Sequence, residues 1–490
     1  MSTTAKRANL GIDQGSSSTK MVLVGEAGET LCSSSRDIST KVQDQGRVEQ
    51  DAQEIFSSVA DLIDEAMRFA ASRVIEIRTL GISCQRSAVV AWEGVNGKAL
   101  SPLLSWRDTR LAQKVAGLSS HRRLVAERSG LPLNVHYAAL KIALLQKEFP
   151  KESESVGTLD TFLLSRLLGK LITEDTHAAR SMLYNLNSAG WDDELCDLFE
   201  VQRRRLPPIV RSVSARGSYR NLPVCAVVGD QQAACFALNG GAQQPILNIG
   251  TVASLMIPTG KTARLRDGYI SSVFYSSEKQ GREYQIEATA NSAGATIDLL
   301  VHHLKLIRTE SELDGVCRRA LDSGRKIPTA YFPLCGTGSP EWRTDLPNVL
   351  LHWDGKDHDL LVCALIESLG AFIAQAINAL LADQAQQSPN TEILVAGGIS
   401  QSDYLLQYIA DVSGFALVRS ESQEAGAYGA ALLASGEWGN SSGLRRQGGK
   451  IAPQSPDAKH RFQSWCALSK DVHQGKISKD MIFDIGKRQA

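Results

Sequence analysis

Two stretches of the chain repeat one pattern of apolar and polar positions. Residues 10–20 (LGIDQGSSSTK) and residues 247–258 (LNIGTVASLMIP) each place a glycine and small hydroxyl side chains between two apolar runs. This pattern is typical of a strand, a tight turn and a returning strand. We therefore predict two β-hairpins, the first extending over residues 10–31, whose turn amides are suited to face the oxygens of one phosphate chain.

The first half of the chain alternates strand-like and helical patterns. Residues 51–72 carry apolar side chains at three- and four-residue steps behind Asp51, which predicts a helix with an acidic start. Residues 79–92 predict two strands interrupted at residues 85–87. Residues 222–228 predict a strand that stops at Gly-Asp-Gln-Gln and continues as a helix. Polar side chains therefore stand at the carboxyl end of a strand, where open α/β sheets bind ligands.

The second half continues in the same way. It predicts a helix from Ala293, a long helix over residues 360–381, and a strand over residues 392–400 that meets paired glycines before another helix. Residues 436–449 are rich in Gly, Ser and Arg, which predicts a loop.

The repeated hairpin and the chain length of 490 residues indicate a duplicated α/β fold of two domains. We place the boundary within residues 239–245 (NGGAQQP), which gives an N-terminal domain of residues 1–240 and a C-terminal domain of residues 241–490. A nucleotide is expected in the cleft between the two copies.

Composition narrows the class of protein. Hydrophobic residues make up 43% of the chain, and 53 basic residues balance 53 acidic ones, which gives no electrostatic reason to expect nucleic acid or a membrane surface as a partner. No segment has the length and apolar purity of a membrane span. The nine cysteines are scattered and never form CxxC, as expected for reduced, mostly buried thiols. We expect a soluble, unprocessed, cytoplasmic protein.

Nine segments, taken together, resemble the FGGY family of carbohydrate kinases, within the actin and hexokinase superfamily, and its glycerol kinase branch in particular. They run in family order from residue 10 to about residue 437: LGIDQGSSSTK, GISCQRSAVVAWEGVNGKALSPLLSWRDTR, SGLPLNVHYAALK, GTLDTFLLSRLLGK, ARSMLYNLNSAGWDDEL, VVGDQQAACFAL, NIGTVASL, ILVAGGISQSDYLLQYIADVSG and EAGAYGAALLAS. The resemblance implies duplicated actin/hexokinase-like (ribonuclease H-like) domains with an inter-domain cleft. It also implies transfer of the γ-phosphoryl group of ATP, with Mg²⁺, to a hydroxyl of a small sugar or polyol.

Two carboxylates carry the chemistry that the resemblance implies. Asp230 corresponds to the general base that accepts the proton of the substrate hydroxyl. An Asp before QQAA also suits a helix N-cap, so both interpretations stand. Asp13 resembles the carboxylate that orients Mg²⁺, although an ordinary turn Asp has the same sequence context.

The resemblance also implies a nucleotide site. The phosphate-binding residues are Ser16, Ser17, Ser18 and Lys20 in the first hairpin and Gly250 and Thr251 in the second. The nucleotide phosphate and ribose residues are Gly294 and Asp298, and Gly397 and Gly398 are the glycines on which adenine rests. A polar turn or a plain helix start explains several of these positions equally well. Val252, where the family often has Gly or Ser, and Ala396, where glycerol kinases have Asp, depart from the pattern.

The acceptor site is where the chain differs most from glycerol kinases. They carry Gln-Arg-Glu where this chain has Gln85, Arg86 and Ser87, and a Tyr where it has His136. Trp106 and Gln231 complete the set of residue types that bind polyhydroxyl ligands. Alternatively, Trp106 is a core residue, His136 a structural histidine and Arg86 part of a surface ion pair. A larger polyol, a ketose or a tetritol fits the altered pocket at least as well as glycerol.

Two other classes of protein compete with the kinase. A non-catalytic sugar or nucleotide sensor would keep the actin-like clamp without needing Asp230, and an assembly ATPase would turn over without any polyol. The segments QRSAVVAW, SWRDTR and GDQQAA favour the kinase. Some relatives form dimers or tetramers, so a homo-oligomer also remains open.

Overall fold

The structure is a computed structural model that describes residues 6–239, 243–387, 391–420, 424–436, 447–478 and 481–483. Contacts within the chain define two units. Unit 1 comprises Met1–Gln243, Pro258–Ile286 and Glu424–Arg445, and unit 2 comprises Gln244–Ile257, Glu287–Gln423 and Arg446–Ala490. The two units interleave along the sequence, and the division at residue 240 stays a prediction about domains.

Strands and helices alternate through the described residues. The strands are β1 (Lys6–Gln14), β2 (Ser18–Gly25), β3 (Thr30–Asp37), β4 (Thr40–Val42), β5 (Val48–Gln50), β6 (Ile75–Cys84), β7 (Val89–Glu93), β8 (Leu103–Leu104), β9 (Glu154–Thr158), β10 (Thr173–Glu174), β11 (Tyr184–Asn185), β12 (Gly190–Trp191), β13 (Ile209–Val210), β14 (Ser218–Tyr219), β15 (Leu222–Gly229), β16 (Ile246–Ile249), β17 (Ala253–Gly260), β18 (Ile270–Ser277), β19 (Gly281–Ala290), β20 (Thr329–Tyr331), β21 (Val349–Leu351), β22 (Glu392–Ala396), β23 (Ala416–Ser420) and β24 (Gln447–Ile451). The helices are α1 (Ala52–Ser72), α2 (Ala112–Gly117), α3 (Arg122–Ser129), α4 (Ala139–Glu148), α5 (Leu159–Leu168), α6 (Asp175–Ala178), α7 (Asp193–Leu198), α8 (Asp230–Asn239), α9 (Ala293–Asp298), α10 (Leu313–Asp322), α11 (His358–Gln387), α12 (Asp403–Ser413), α13 (Ala425–Ser435) and α14 (Pro456–His473).

A six-stranded sheet forms the centre of unit 1, in the order β14-β15-β6-β1-β2-β3. The predicted first hairpin is confirmed, because β1 and β2 pair antiparallel. β1, β6 and β15 pair parallel, so their carboxyl ends share one edge of the sheet. The two strands predicted over residues 79–92 are confirmed as β6 and β7, but β7 belongs to a second sheet of order β4-β5-β8-β7-β9.

Helices cover this sheet because their apolar positions face it. The predicted helix after Asp51 is confirmed as α1, and the Asp51 carboxylate accepts a hydrogen bond of 2.7 Å from the Gln53 amide. Its buried side chains, among them Ile55 and Leu62, join the core beneath β1 and β6. α13 packs so closely on the sheet that a Cβ at Gly11 would lie 1.8 Å from the Ala427 carbonyl oxygen. Only glycine permits that approach.

Unit 2 contains the second predicted hairpin, which is confirmed by the antiparallel pairing of β16 and β17. β16, β22 and β23 pair parallel, and β24 pairs antiparallel with β23. The loop predicted over residues 436–449 is therefore wrong at its end, because β24 begins at Gln447, where its backbone pairs with the edge of β23. Gly436 ends α13, and residues 437–446 lie outside the described residues.

The long helix predicted over residues 360–381 is confirmed as α11. The prediction that no segment has the length and apolar composition of a membrane span is wrong for this helix, because His358–Ala382 meets both criteria, but 94% of its most apolar window is buried inside the protein. It packs against α10, α12 and β20 of unit 2. Five of the nine cysteines are buried, which confirms that most of them are buried, and their reduced state stays a prediction.

Candidate active site

The carboxyl ends of β1, β6 and β15 bring predicted site residues together at one edge of the unit 1 sheet. Asp13 of β1 is in register with Ser83 of β6, and Gly229 of β15 is in register with Cys84 of β6. Asp230 follows Gly229 directly as the first residue of α8. Asp13 and Asp230 thus lie at the strand ends where α/β sheets bind ligands.

Asp13 is held in a desolvated position. The Ser83 hydroxyl donates a hydrogen bond of 2.6 Å to Asp13 Oδ1, and a Cβ at Gly426 would lie 2.3 Å from Oδ2. Burial raises the pKa of Asp13 to about 7 against the opposing Ser83 hydrogen bond, and the nearby Asp230 charge raises it further. A cation at this carboxylate would offset that cost, because a positive charge favours the ionised form.

The residues around Asp13 fit Mg²⁺ in one particular way. Among the described residues, no three or more His, Cys, Asp or Glu side chains form a cluster able to hold a metal. Mg²⁺ commonly binds through one or two carboxylates and completes its shell with water and substrate phosphates. Asp13 suits that arrangement, whereas an all-protein metal cage does not fit the residues present.

Asp230 is paired with a buried arginine. Arg86 Nε lies 3.2 Å from Asp230 Oδ1, and the exposed fractions of the two side chains are 7% and 32%. Asp230 Oδ1 also accepts from the Gln231 amide at 2.8 Å. Among the described residues it bonds no amide two or three positions further on, as an N-cap side chain would. One interpretation of the sequence placed Arg86 in a surface ion pair. The ion pair is present, but Arg86 is buried and Asp230 is about one third exposed.

Trp106 and His136 form one hydrogen-bonded group with the first hairpin. His136 Nδ1 donates to the Trp106 carbonyl oxygen at 3.0 Å, and the two rings meet edge to face with centroids 6.0 Å apart. Trp106 Nε1 donates to Ser16 Oγ at 2.9 Å, and Ser16 Oγ donates to Gln85 Oε1 at 3.3 Å. Burial lowers the pKa of His136, which favours a neutral ring at pH 7. Both rings are half-buried, so Trp106 is not a fully buried core residue.

The two predicted glutamines differ in what they have left to offer a ligand. Gln85 is fully buried, and its side-chain amide donates to Gln14 Oε1 at 3.1 Å and to Gln50 Oε1 at 2.9 Å. Its amide group is therefore committed to the protein. Gln231 Oε1 is buried and has no hydrogen-bond partner among the described residues. A buried acceptor without a partner is costly, and a ligand hydroxyl would satisfy it.

The Ser87 hydroxyl bonds the protein backbone and does not replace the hydrogen-bond acceptor that a carboxylate would provide at this position. Its hydroxyl donates to the Arg180 carbonyl oxygen at 2.9 Å, and its backbone is left-handed, with φ of 63°. The Ser87 carbonyl oxygen accepts from Lys141 Nζ at 3.2 Å. Ser87 therefore stabilises the backbone at this position and contributes no negative charge.

The turn of the first hairpin retains groups for a ligand. Gly15 and Ser18 close the turn with a backbone hydrogen bond of 2.9 Å. The hydroxyls of Ser17 and Ser18 have no protein hydrogen bond among the described residues. Lys20 Nζ lies 3.2 Å from Glu424 Oε2, with both side chains about one third exposed. Glu424 thereby holds the predicted phosphate-binding lysine in place.

In unit 2, a cavity of about 470 Å³ gathers five of the ten residues predicted for the nucleotide site. Its lining comprises Gly250, Thr251, Gly294, Asp298 and Gly398 together with Ile297, Val301, His302, Thr309, Glu310 and Ile399. The branched apolar side chains suit a flat base, and the backbone amides, hydroxyl and carboxyl groups suit phosphate and ribose. The residues present therefore fit a nucleotide.

The paired glycines serve two different purposes. A Cβ at Gly398 would meet no atom within 4 Å, so this residue presents an open face to the cavity. At Gly397, φ is 99° and a Cβ would lie 2.4 Å from the Ile249 carbonyl oxygen. Gly397 is therefore required by the turn, and among the described residues only Gly398 of this pair lines the cavity.

Several residues at the site were not predicted from the sequence. Ser83, Lys141, Glu424 and Gly426 contact predicted site residues or the backbone that carries them. Glu424 and Gly426 lie in the segment EAGAYG, about 400 residues after the hairpin that they support. Their only sequence signal was membership of that segment, because nothing local indicates which distant strand α13 packs on.

The chain was compared with known proteins. Models of the FGGY family of carbohydrate kinases match residues 8–237 with the N-terminal domain and residues 246–438 with the C-terminal domain. Glycerol kinase from Geobacter sp. (strain M21) is 30% identical over 95% of this chain and 96% of its own, and that from Trichodesmium erythraeum is 27% identical over 97% and 99%. The crystal structure of Plasmodium falciparum glycerol kinase with ADP has a TM-score of 0.86 at 23% identity and covers 96% of this chain and 99% of its own.

These comparisons confirm the two-domain α/β fold of the actin/hexokinase type. The two family models together cover most of the chain, and the curated relatives match nearly its full length. The chain therefore belongs to the FGGY family of carbohydrate kinases and is a kinase that uses ATP and Mg²⁺ to phosphorylate a small sugar or polyol.

Proposed function

We propose that this kinase phosphorylates a hydroxyl of a polyol or sugar larger than glycerol, with Asp230 as the general base. The observation that carries the proposal is the Asp230–Arg86 pair at the carboxyl end of β15. Its carboxylate is one third exposed while its arginine is buried. Such a carboxylate is accessible to a substrate and is held in one orientation from behind.

Each acceptor-side residue has a distinct task. Asp230 accepts the proton of the attacking hydroxyl, and Arg86 restricts the carboxylate to one position and donates to a substrate hydroxyl. Gln231 Oε1 accepts a second substrate hydroxyl, since it has no partner among the described residues. Trp106 and His136 offer ring edges and faces to the carbon skeleton of the acceptor.

The remaining residues serve ATP. Asp13 holds Mg²⁺, which when bound neutralises charge on the phosphate oxygens. The hydroxyls of Ser17 and Ser18 and the ammonium of Lys20 bind the transferred phosphoryl group. Gly250, Thr251, Gly294, Asp298 and Gly398 bind the nucleotide. Gly397 supports Gly398 through the turn.

The acceptor class follows from Ser87 and His136. Where glycerol kinases have a carboxylate and a Tyr, this chain has a short hydroxyl bonded to the Arg180 carbonyl and a histidine bonded to the Trp106 carbonyl. The loss of one strong acceptor and of side-chain volume favours a tetritol, a pentitol or a ketose. Glycerol is the second candidate, because the curated relatives are glycerol kinases.

We also propose that the protein acts in the cytoplasm on its small-molecule substrate without a nucleic-acid or membrane partner. Its charge balance supports this, with 53 basic and 53 acidic residues. A homo-oligomer remains a prediction from the family resemblance.

The test is ADP release from Mg·ATP across glycerol, erythritol, pentitols, ketopentoses, ketohexoses and gluconate, with Asp230→Asn as the matched inactive variant. We expect one acceptor larger than glycerol to give the highest kcat/KM and the variant to lose that activity. A maximum at glycerol would refute the acceptor class. Acceptor-independent ATP turnover would instead favour an ATPase, and acceptor binding without ADP release would favour a sensor.

A further inference from the structure

A buried lysine lies beneath the acceptor residues. Lys141, in the first turn of α4, is 1% exposed. Its ammonium donates to the His136 carbonyl oxygen at 2.7 Å, to the Ser87 carbonyl oxygen at 3.2 Å and to the Tyr137 carbonyl oxygen at 3.5 Å. No salt bridge among the described residues includes it, so its partners are backbone carbonyls.

These carbonyls belong to the two loops that carry acceptor residues. Ser87 follows Arg86 directly, in the connection between β6 and β7, and its own hydroxyl ties this connection to the Arg180 carbonyl. His136 precedes α4 and bonds through its ring to Trp106. One ammonium therefore joins the backbone next to Arg86 to the backbone of His136.

The connection extends to the phosphate side of unit 1. The His136 ring donates to the Trp106 carbonyl, and the Trp106 ring donates to the Ser16 hydroxyl in the turn of the first hairpin. A shift of the His136 backbone would change the position of both rings. The geometry at Lys141 is thus connected by direct hydrogen bonds to the aromatic side of the acceptor site.

A buried ammonium at this position is energetically unfavourable. Burying it without a direct salt bridge carries a large desolvation cost, which the nearby Asp108 charge offsets only in part, and an apolar side chain of similar length would avoid that cost. What the lysine adds is up to three directed hydrogen bonds from one atom. We propose that Lys141 is a positioning residue, which sets the separation of Arg86 and His136 by holding the Ser87 and His136 carbonyls together. The inference rests on the proposed function, since it takes Arg86 and His136 to contact the acceptor.

The test compares Lys141→Met, which keeps most of the length of the side chain without its donors, with Lys147→Met on the exposed side of the same helix. Acceptor affinity is measured by calorimetry without nucleotide, using the acceptor that gives the highest kcat/KM in the ADP-release panel. We expect the acceptor Kd and KM of Lys141→Met to rise at least about tenfold, with the Mg·ATP KM and the kcat at saturating acceptor changed less than about threefold. Lys147→Met should match the wild type.

A folded Lys141→Met protein with wild-type acceptor affinity would overturn the inference, as would equal losses in acceptor and Mg·ATP binding. If Lys141→Met does not fold, Lys141→Gln keeps a donor and is judged by the same two affinities. Failure of the proposed function is distinguishable, because it would appear as retained turnover in Asp230→Asn, whatever the Lys141 variants do.

Discussion

Arg86 Nε lies 3.2 Å from Oδ1 of Asp230, and the arginine is the more buried partner of the pair. Because Arg86 follows β6 and Asp230 follows β15, the pair joins the ends of two neighbouring parallel strands. A pair with a buried arginine contributes to folding as well as to the rate, because removal of one partner leaves the other charge poorly solvated and free to move. Variants of this pair are therefore compared at the level of turnover only after their folding has been checked.

Replacement of Arg86 by Met should lower kcat/KM for the acceptor by about 100-fold, because Asp230 loses its orienting partner and the substrate loses a donor. Steady-state kinetics measure the effect. Arg220→Met is the matched control, since Arg220 forms an exposed pair with Asp64 at 2.9 Å in the same unit. Equal kinetics in the two variants would show that the pair with Asp230 has no role in turnover.

Addition of a methyl group at Gly426 should weaken the use of Mg²⁺. In Gly426→Ala the new Cβ would lie 2.3 Å from Asp13 Oδ2, so the carboxylate must move. We expect the Mg²⁺ concentration for half-maximal rate to rise about tenfold. Gly117→Ala, where a Cβ would meet nothing within 4 Å, serves as the control. An unchanged Mg²⁺ dependence would remove Asp13 from the metal site.

A side chain at Gly398 should block the nucleotide without disturbing the fold. The Cβ in Gly398→Val would enter open space at the cavity of unit 2. We expect ADP affinity by calorimetry to fall at least about tenfold, with acceptor affinity unchanged. Gly449→Val, on the exposed part of β24, should bind ADP normally. Normal ADP binding in Gly398→Val would show that the adenine ring does not lie against Gly398.

Lys141 should give the stability of the protein a specific dependence on pH. Burial lowers its pKa from 10.5 to about 7, with Asp108 opposing the shift and Arg110 reinforcing it. Between pH 7 and pH 10.5 the unfolded chain binds more protons here than the folded chain, so the free energy of unfolding rises with pH across that window. Below about pH 7 the lysine is charged in both states, so the free energy of unfolding does not change with pH through this group.

We therefore expect the free energy of unfolding of the wild type, relative to Lys141→Met, to increase by about 2 kcal/mol between pH 7 and about pH 9. Urea unfolding at several pH values measures this difference. Lys147→Met should follow the wild type throughout. A flat difference over the same window would mean that Lys141 is protonated in the folded protein.

Local patterns predicted most elements near the site. The Gly-Ser turn of the first hairpin, the capped periodicity of α1 and the apolar run of β15 each determine their structure through short-range effects, and all three were confirmed. The loop predicted over residues 436–449 was wrong at its end, because β24 forms through pairing with β23 and amino-acid composition does not reveal that pairing.

The contacts within the site could not be predicted from the sequence, because they join residues far apart in the chain. The sequence pattern places Asp13, Arg86 and Asp230 at strand ends, but the pairing of Arg86 with Asp230 depends on the strand order β15-β6-β1. Ser16 was expected to face phosphate, and its hydroxyl bonds Trp106 and Gln85. The role of Lys141 depends on carbonyls from two separate loops. Such partners require tertiary structure, because no periodicity in the sequence records them.

The most direct test of the account compares kcat and acceptor Kd in the wild type and in Asp230→Asn, with the acceptor that gives the highest kcat/KM. Loss of a general base predicts a fall in kcat of about 100-fold to 10,000-fold, while acceptor Kd changes only a few-fold because the amide keeps the shape of the carboxylate. A kcat near the wild-type value, with acceptor binding intact, would contradict the assignment of Asp230 as the base and the mechanism built on it.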